Sequence, residues 1–137
     1  DAAAALCAPD DLIITADTMV FLGNDRLGKP HDEEDAFRML RELAGRGHTV
    51  CTGVSVRRGE TGELFAVSTR VFFRPATDDE IRAYIKTGEP MDKAGAYGVQ
   101  SRGALFVERI DGDFFNVMGL PVEQLGLVLA RFGVKLL

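Results

Sequence analysis

Cysteine, histidine and positive charge are all scarce in this chain. Its two cysteines, Cys7 and Cys51, lie far apart and form no C-x-x-C pair. That excludes a disulfide framework and predicts two buried thiols in a protein of the reducing cytoplasm. The two histidines, His31 and His48, have no His, Cys or acidic partners at metal-ligand spacing. A histidine-based metal centre is therefore excluded, and both rings are expected in surface or turn roles. Lysine and arginine number 16 against 21 acids, a net charge of −5. Such a balance provides no basic face for nucleic acid. It leaves room for a phosphorylated small molecule if a divalent cation and a few placed lysines offset the repulsion. No apolar run approaches the roughly 20 residues of a membrane span. The opening "DAAAALCAPDD" has neither the basic start nor the long apolar centre of a secretory leader. The P-loop pattern G-x-x-x-x-G-K-[ST] and the serine-hydrolase pattern G-x-S-x-G are both missing.

What is present fits one globular domain of 137 residues, with a 46% hydrophobic and 27% charged composition. "DDLIITAD" (10–17) reads as a buried strand whose far end presents Thr15, Asp17 and Thr18, with "MVFLG" (19–23) continuing it after a kink. "GNDRLGKP" (23–30) carries loop residues. Asp32 caps a helix whose apolar face is Ala36, Met39, Leu40, Leu43 and Ala44, ended by Gly45 or Gly47. Residues 48–58 and 63–75 alternate apolar and polar around "GETG", which predicts a long β-hairpin. Thr77 and Glu80 form a capping box for a helix through Ile81, Tyr84 and Ile85, stopped by Gly88 and Pro90. A loop "DKAGAYGVQ" (92–100), a strand "ALFVERI" (104–110), a turn and a helix (120–133) with Pro121 in its first turn complete the chain. The order βαββα–loop–βα predicts an α/β domain with a mixed sheet.

Three places invite chemistry. Asp17, at a strand end, suits a metal ligand or general base, and equally a turn or capping acid. Lys29, between Gly28 and Pro30, suits a phosphate, and equally a solvated surface. In "DKAGAYGVQ" the glycines expose backbone N–H groups, Lys93 adds a point charge, and Gln100 offers a donor and an acceptor together. That pairing matches the edge of uracil or thymine; it would serve a structural loop as well.

"TADTMV", "LGKPHDEEDAFRML", "LAGRGHTVCTGV", "DKAGAYGVQ" and "NVMGLPVEQL" resemble, in order and spacing, the Maf family of nucleoside triphosphate pyrophosphatases. The resemblance implies a two-lobed α/β fold like that of inosine triphosphate pyrophosphatases, with a cleft between lobes. It implies hydrolysis of a nucleoside triphosphate to monophosphate and pyrophosphate with a divalent cation, Mg²⁺ or Mn²⁺. Asp17 takes the place of the catalytic, metal-binding aspartate, and Lys29 and Lys93 those of the phosphate-binding lysines. Thr18 and Gln100 match the branch acting on dTTP and UTP, rather than the 7-methyl-GTP branch, which typically has a glutamate at the glutamine position. The family also accommodates a homodimer, while the charge balance and the lack of a long apolar run imply no nucleic acid and no membrane.

Two departures accompany the resemblance. The family opens with a strand and a Ser-Pro-Arg motif, and residues 1–137 are expected to be a single domain lacking both, starting inside the helix that follows them. Ser101 and Arg102 stand where a glycine-rich continuation is usual. The alternative expectation is a catalytically weak nucleotide-binding regulator of septum formation.

Overall fold

Alternation along three long strands builds the scaffold. The computed structural model describes residues 6–137, and the expected helix at the chain start falls partly on residues 1–5, outside them. The elements are β1 (Leu12–Leu22), β2 (Asp25–Leu27), α1 (Glu33–Leu43), β3 (Gly47–Arg58), β4 (Thr61–Phe73), α2 (Asp78–Lys86), β5 (Val107–Asp111), α3 (Phe114–Met118) and α4 (Val122–Arg131). The sheet has five strands in the order β2-β1-β3-β4-β5. Helices and sheet form the expected α/β domain. Its ladders are antiparallel at every described pairing, so the parallel pair of a mixed sheet is not found among the described residues. β3 and β4 pair without interruption from Gly47↔Phe72 to Arg58↔Thr61, as their shared period of two requires.

One sheet face carries the core. Val20, Val50, Val71 and Phe73 pack with Ala36, Met39, Leu40 and Leu43 of α1 and Ile81, Tyr84 and Ile85 of α2. Val54 and Val56, farther along β3, pack with Leu125, Val128 and Leu129 of α4. The two clusters give the domain two apolar centres. Between them lies a polar seam of fully buried Thr52, Thr69 and Asn116. The Asn116 amide donates to Val50 O (3.2 Å), Val67 O (2.9 Å) and Thr69 Oγ1 (3.0 Å), stitching α3 to both central strands. Buried amides of this kind are tolerated because their donors are used.

The helix signals act as read. Asp32 accepts from the Asp35 amide, and Thr77 and Glu80 form a reciprocal capping box. Each such cap is worth about 1 kcal/mol. α4 starts later than expected, with Pro121 as its N-cap rather than within its first turn.

Four expectations need correction. β1 is one continuous strand to Leu22, because Val20–Leu22 pair with β2 while the strand still pairs with β3. Asp17 therefore lies mid-strand rather than at a strand tip. Cys7 is exposed and Cys51 half-buried, both as free thiols. Residues 102–106 form a 3-10 turn, so β5 begins at Val107. His48 is fully buried rather than superficial, because the even positions of β3 from His48 to Val56 face the core.

His48 Nε2 shares a 2.7 Å hydrogen bond with the Tyr97 hydroxyl, and the ring meets Phe73 and Tyr97 edge-on. Its Nδ1 has no partner among the described residues. Burial, followed by the Arg70 charge, lowers its pKa from 6.5 to about 4. The unfolded chain therefore binds a proton that the folded chain refuses as pH falls through that window. Stability from this ring is complete above pH 6.5 and is lost toward pH 4, by roughly 3 kcal/mol. Urea unfolding at pH 4.5 and 7 should show this loss, and His48→Phe should flatten it relative to the parent.

Candidate functional site

Four of the five sequence-nominated residues meet in one place. Thr18, Lys29, Lys93 and Gln100 line a cavity of about 260 Å³ together with Val20, Val50, Tyr97, Gly98 and residues 117–119. That volume is slightly below the roughly 300 Å³ lower end of small-molecule pockets.

Each wall has a local cause. The Gly28–Pro30 segment follows β2 and is held by Gly95 N donating to Gly28 O at 3.1 Å. Gly95 sits at φ +74, and a Cβ there would stand 3.0 Å from a Val20 methyl. Glycine is therefore required both for the left-handed turn and for the close approach to β1. Its neighbour Ala96 also has positive φ, 65°, a conformation that costs a non-glycine residue about 1 kcal/mol. This turn brings Lys93 beside Lys29. Lys93 Nζ donates to Asp92 at 2.9 Å. That hydrogen bond, the Lys93 charge and, more weakly, the Lys29 charge hold the Asp92 carboxyl below its usual range. Lys93 thus pairs with an exposed counter-charge, on which Lys29 acts only at longer range.

Thr18 has a defined polarity. Its Oγ1 lies 2.9 Å from Thr52 Oγ1, and Thr52 donates to Asn116 O at 3.1 Å. Both bonds form together only if Thr18 donates to Thr52. Thr18 Oγ1 is then left with lone pairs alone to offer a ligand.

Asp17 is placed differently. Adjacent strand residues point to opposite faces, and Asp17 is exposed on the face opposite Thr18. There, residues 15–17, 53–55 and 64–66 line a shallow hollow of about 570 Å³. The structure does not bring Asp17 into the lysine-lined cavity. It does place both residues at an open rim, since β2 pairs only with Val20–Leu22. Among the described residues, positions 12–19 have a strand on the β3 side alone. No group of three or more His, Cys, Asp or Glu able to hold a metal occurs among the described residues. A lone exposed carboxylate still fits Mg²⁺, which characteristically takes one or two protein carboxylates and completes its shell with water and substrate phosphate.

The sequence profile described as "Maf-like protein" matches residues 1–132. The chain belongs to the Maf-like family. Among its curated relatives, a dTTP/UTP pyrophosphatase of Bacillus velezensis is 52% identical over 127 residues, 93% of this chain and 67% of that protein. A dTTP/UTP pyrophosphatase of Syntrophomonas wolfei is 51% identical over 92% of this chain and 68% of its own length. One from Thermococcus kodakarensis is 57% identical over 81% of this chain and 59% of its length. The Maf-like chain thus spans about two thirds of the length of the relatives it matches most fully.

Several residues that shape this Maf-like cavity escaped the sequence. Tyr97, Val117 and Met118 line it, and Thr52 and Asn116 sit behind Thr18. An isolated threonine in an alternating strand carries no signal of its own. Asn116 shows one only once Asp113 is recognised as the cap of α3, accepting from the Phe115 and Asn116 amides. No helix among the described residues is long and apolar enough to cross a membrane.

The loop bearing Gln100 is tightly pinched at its base. A Cβ on Gly103 would stand 2.3 Å from Gly98 O and 2.7 Å from the Tyr84 hydroxyl. Gly103→Ala is expected to cost about 1–3 kcal/mol through this clash, measured by urea unfolding, and to shift the amide resonances of residues 98–103.

Proposed function

We propose that this chain forms the nucleotide-binding body of a pyrophosphatase that converts dTTP and UTP to the monophosphate and pyrophosphate. The observation that carries this is the meeting of Thr18, Lys29, Lys93 and Gln100 around one cavity, although they come from separate segments. The names of the relatives support the same substrates. Nucleoside triphosphates are cytoplasmic metabolites, and we assign the protein to that compartment.

Base choice follows from hydrogen-bond polarity. Gln100 offers a donor and an acceptor, which suits a carbonyl beside an N–H on a pyrimidine edge. Thr18, as an acceptor only, suits the N3–H of uracil or thymine, and Gln100 then donates its amide N–H to the carbonyl beside it. The unprotonated N3 of cytosine would meet it lone pair to lone pair, leaving a desolvated group unpaired.

The triphosphate runs from this pocket past Lys29 and Lys93 and over the open rim of β1, where Asp17 is reachable from the other face. Asp17 accepts a proton from the water that attacks the α-phosphorus. The bond between that phosphorus and the bridging oxygen breaks, and pyrophosphate leaves with the electron pair. Lys29 and Lys93 neutralise the charge that grows on the leaving group, the largest contribution expected in phosphoryl chemistry. A divalent cation held by Asp17 and the phosphates would supply further charge neutralisation.

A second reading has an observation in its favour. Asp17 and the cavity occupy opposite sheet faces, which suits a nucleotide-binding regulator with little turnover. Pyrophosphate release separates the two. Parent protein is expected to release it from dTTP and UTP faster than from 7-methyl-GTP, and the reverse order would refute the substrate assignment. Asp17→Asn should lower turnover by at least about 100-fold while nucleotide binding and the melting temperature persist. Binding without release by the parent would favour the regulator. Gln100→Glu should erode the pyrimidine preference, and an unchanged profile would leave Gln100 a structural residue.

A further inference from the structure

Resting on the nucleotide site proposed above, we infer that Glu89 is a positioning residue that holds Gln100 and Lys93 in register with one another. Glu89 opens the 3-10 turn Glu89–Asp92 that follows α2. Its half-buried carboxylate accepts from the Tyr84 hydroxyl, from Arg102 N at 3.3 Å and from Gly103 N at 3.0 Å. The Tyr84 hydroxyl in turn accepts from Gly98 N at 3.0 Å. One acid and one phenol therefore tie both ends of segment 98–103, and exposed Gln100 sits between the ties.

The same clasp reaches Lys93. A Cβ on Gly98 would stand 2.7 Å from Lys93 Cε and 3.5 Å from Glu89 Oε2. The lysine stem thus lies on the glycine that Tyr84 holds. Lys93 and Gln100 are separated by a glycine-rich segment that could not fix their spacing unaided. The distance between a phosphate contact and a base contact is what a nucleotide site must control.

Only an ionised carboxylate suits the role. Three N–H or O–H donors converge on two oxygens, and the amide of a glutamine would turn N–H toward N–H at one of them. Burial raises the Glu89 pKa, but the nearby Ser101 side chain and the hydrogen bonds from Tyr84, Gly103 and Arg102 outweigh it and leave the group below its usual value.

The test compares the parent chain with Glu89→Gln and Tyr84→Phe. The readouts are kcat and KM for dTTP and CTP, and calorimetric affinity for α,β-methylene dTTP and α,β-methylene CTP. Glu89→Gln is expected to raise KM for dTTP about tenfold, with kcat changed less than about threefold, and to cut the dTTP-over-CTP preference about tenfold. Tyr84→Phe should move both quantities the same way by less, since the Arg102 and Gly103 amides keep their acceptor. A lowered melting temperature with KM, affinity and preference unchanged in the folded variants would make Glu89 scaffold only and overturn the inference. Should Glu89→Gln fail to fold, Tyr84→Phe alone decides it by the same measurements. A parent that binds without turnover is judged by the affinity ratio. A parent that binds neither analogue overturns the nucleotide site and this inference together.

Discussion

The hydrogen bond from Gly95 N to Gly28 O joins two loops separated by the whole central hairpin and α2. It holds the segment that bears Lys29 against the loop that bears Lys93, whose ammonium pairs with Asp92. Its geometry demands glycine at position 95, pressed against Val20 in a left-handed conformation. Val20 is itself one of the buried residues of the larger apolar cluster. A packed core is dense and resists small displacements, so the lysine pair takes its position from the most rigid part of the domain.

The second constraint is the period of the β-strand. Thr18 and Asp17 are neighbours in sequence and are turned to opposite faces by the pleat. A ligand touching both has to cross the rim of the sheet, and among the described residues β1 leaves that rim open because β2 takes up only its last turn-proximal residues. The two-sided placement therefore says something about substrate shape. A compact ligand fits one face; an extended one with a flat group at one end and a charged tail at the other spans the edge. The polar seam of Thr52, Thr69 and Asn116 lies just behind this crossing. It fixes the orientation of the Thr18 hydroxyl without any contact of its own with the cavity.

How much of this could be read from residues alone depends on whether the signal was local. The β3–β4 pairing followed from strict alternation, and α1 and α2 from their caps, because these are short-range effects. β2 and α3 were missed: three residues inside a glycine-rich loop and five residues after an Asp-Gly-Asp turn are too short to show a period. The sheet order was illegible, since nothing in β5 states that it pairs with β4. Among site residues, Lys93 and Gln100 stood out because charged and amide groups on a glycine-rich loop are unusual. Glu89 carries no sequence signal of its own, and Tyr84 shows only as a helix residue beside Ile81 and Ile85. Their joint role exists only after the chain between them has folded back, with Gly98 and Gly103 in contact. His48 was misplaced for the opposite reason: polarity suggested the surface, whereas its register in β3 dictated the interior.

Among the described residues, the unpaired stretch of β1 has a further consequence. Unpaired backbone along an edge strand invites a strand from another molecule to add to it, the first step of many aggregates. Here the exposed carboxylate of Asp17 stands on one sheet face at the middle of that strand, with Asp11 just before the strand starts. A bare negative charge at the centre of an edge strand has to be desolvated before any visiting strand can settle. Among the described residues, the acid proposed to handle water is therefore also the one charged side chain along the unpaired stretch of β1.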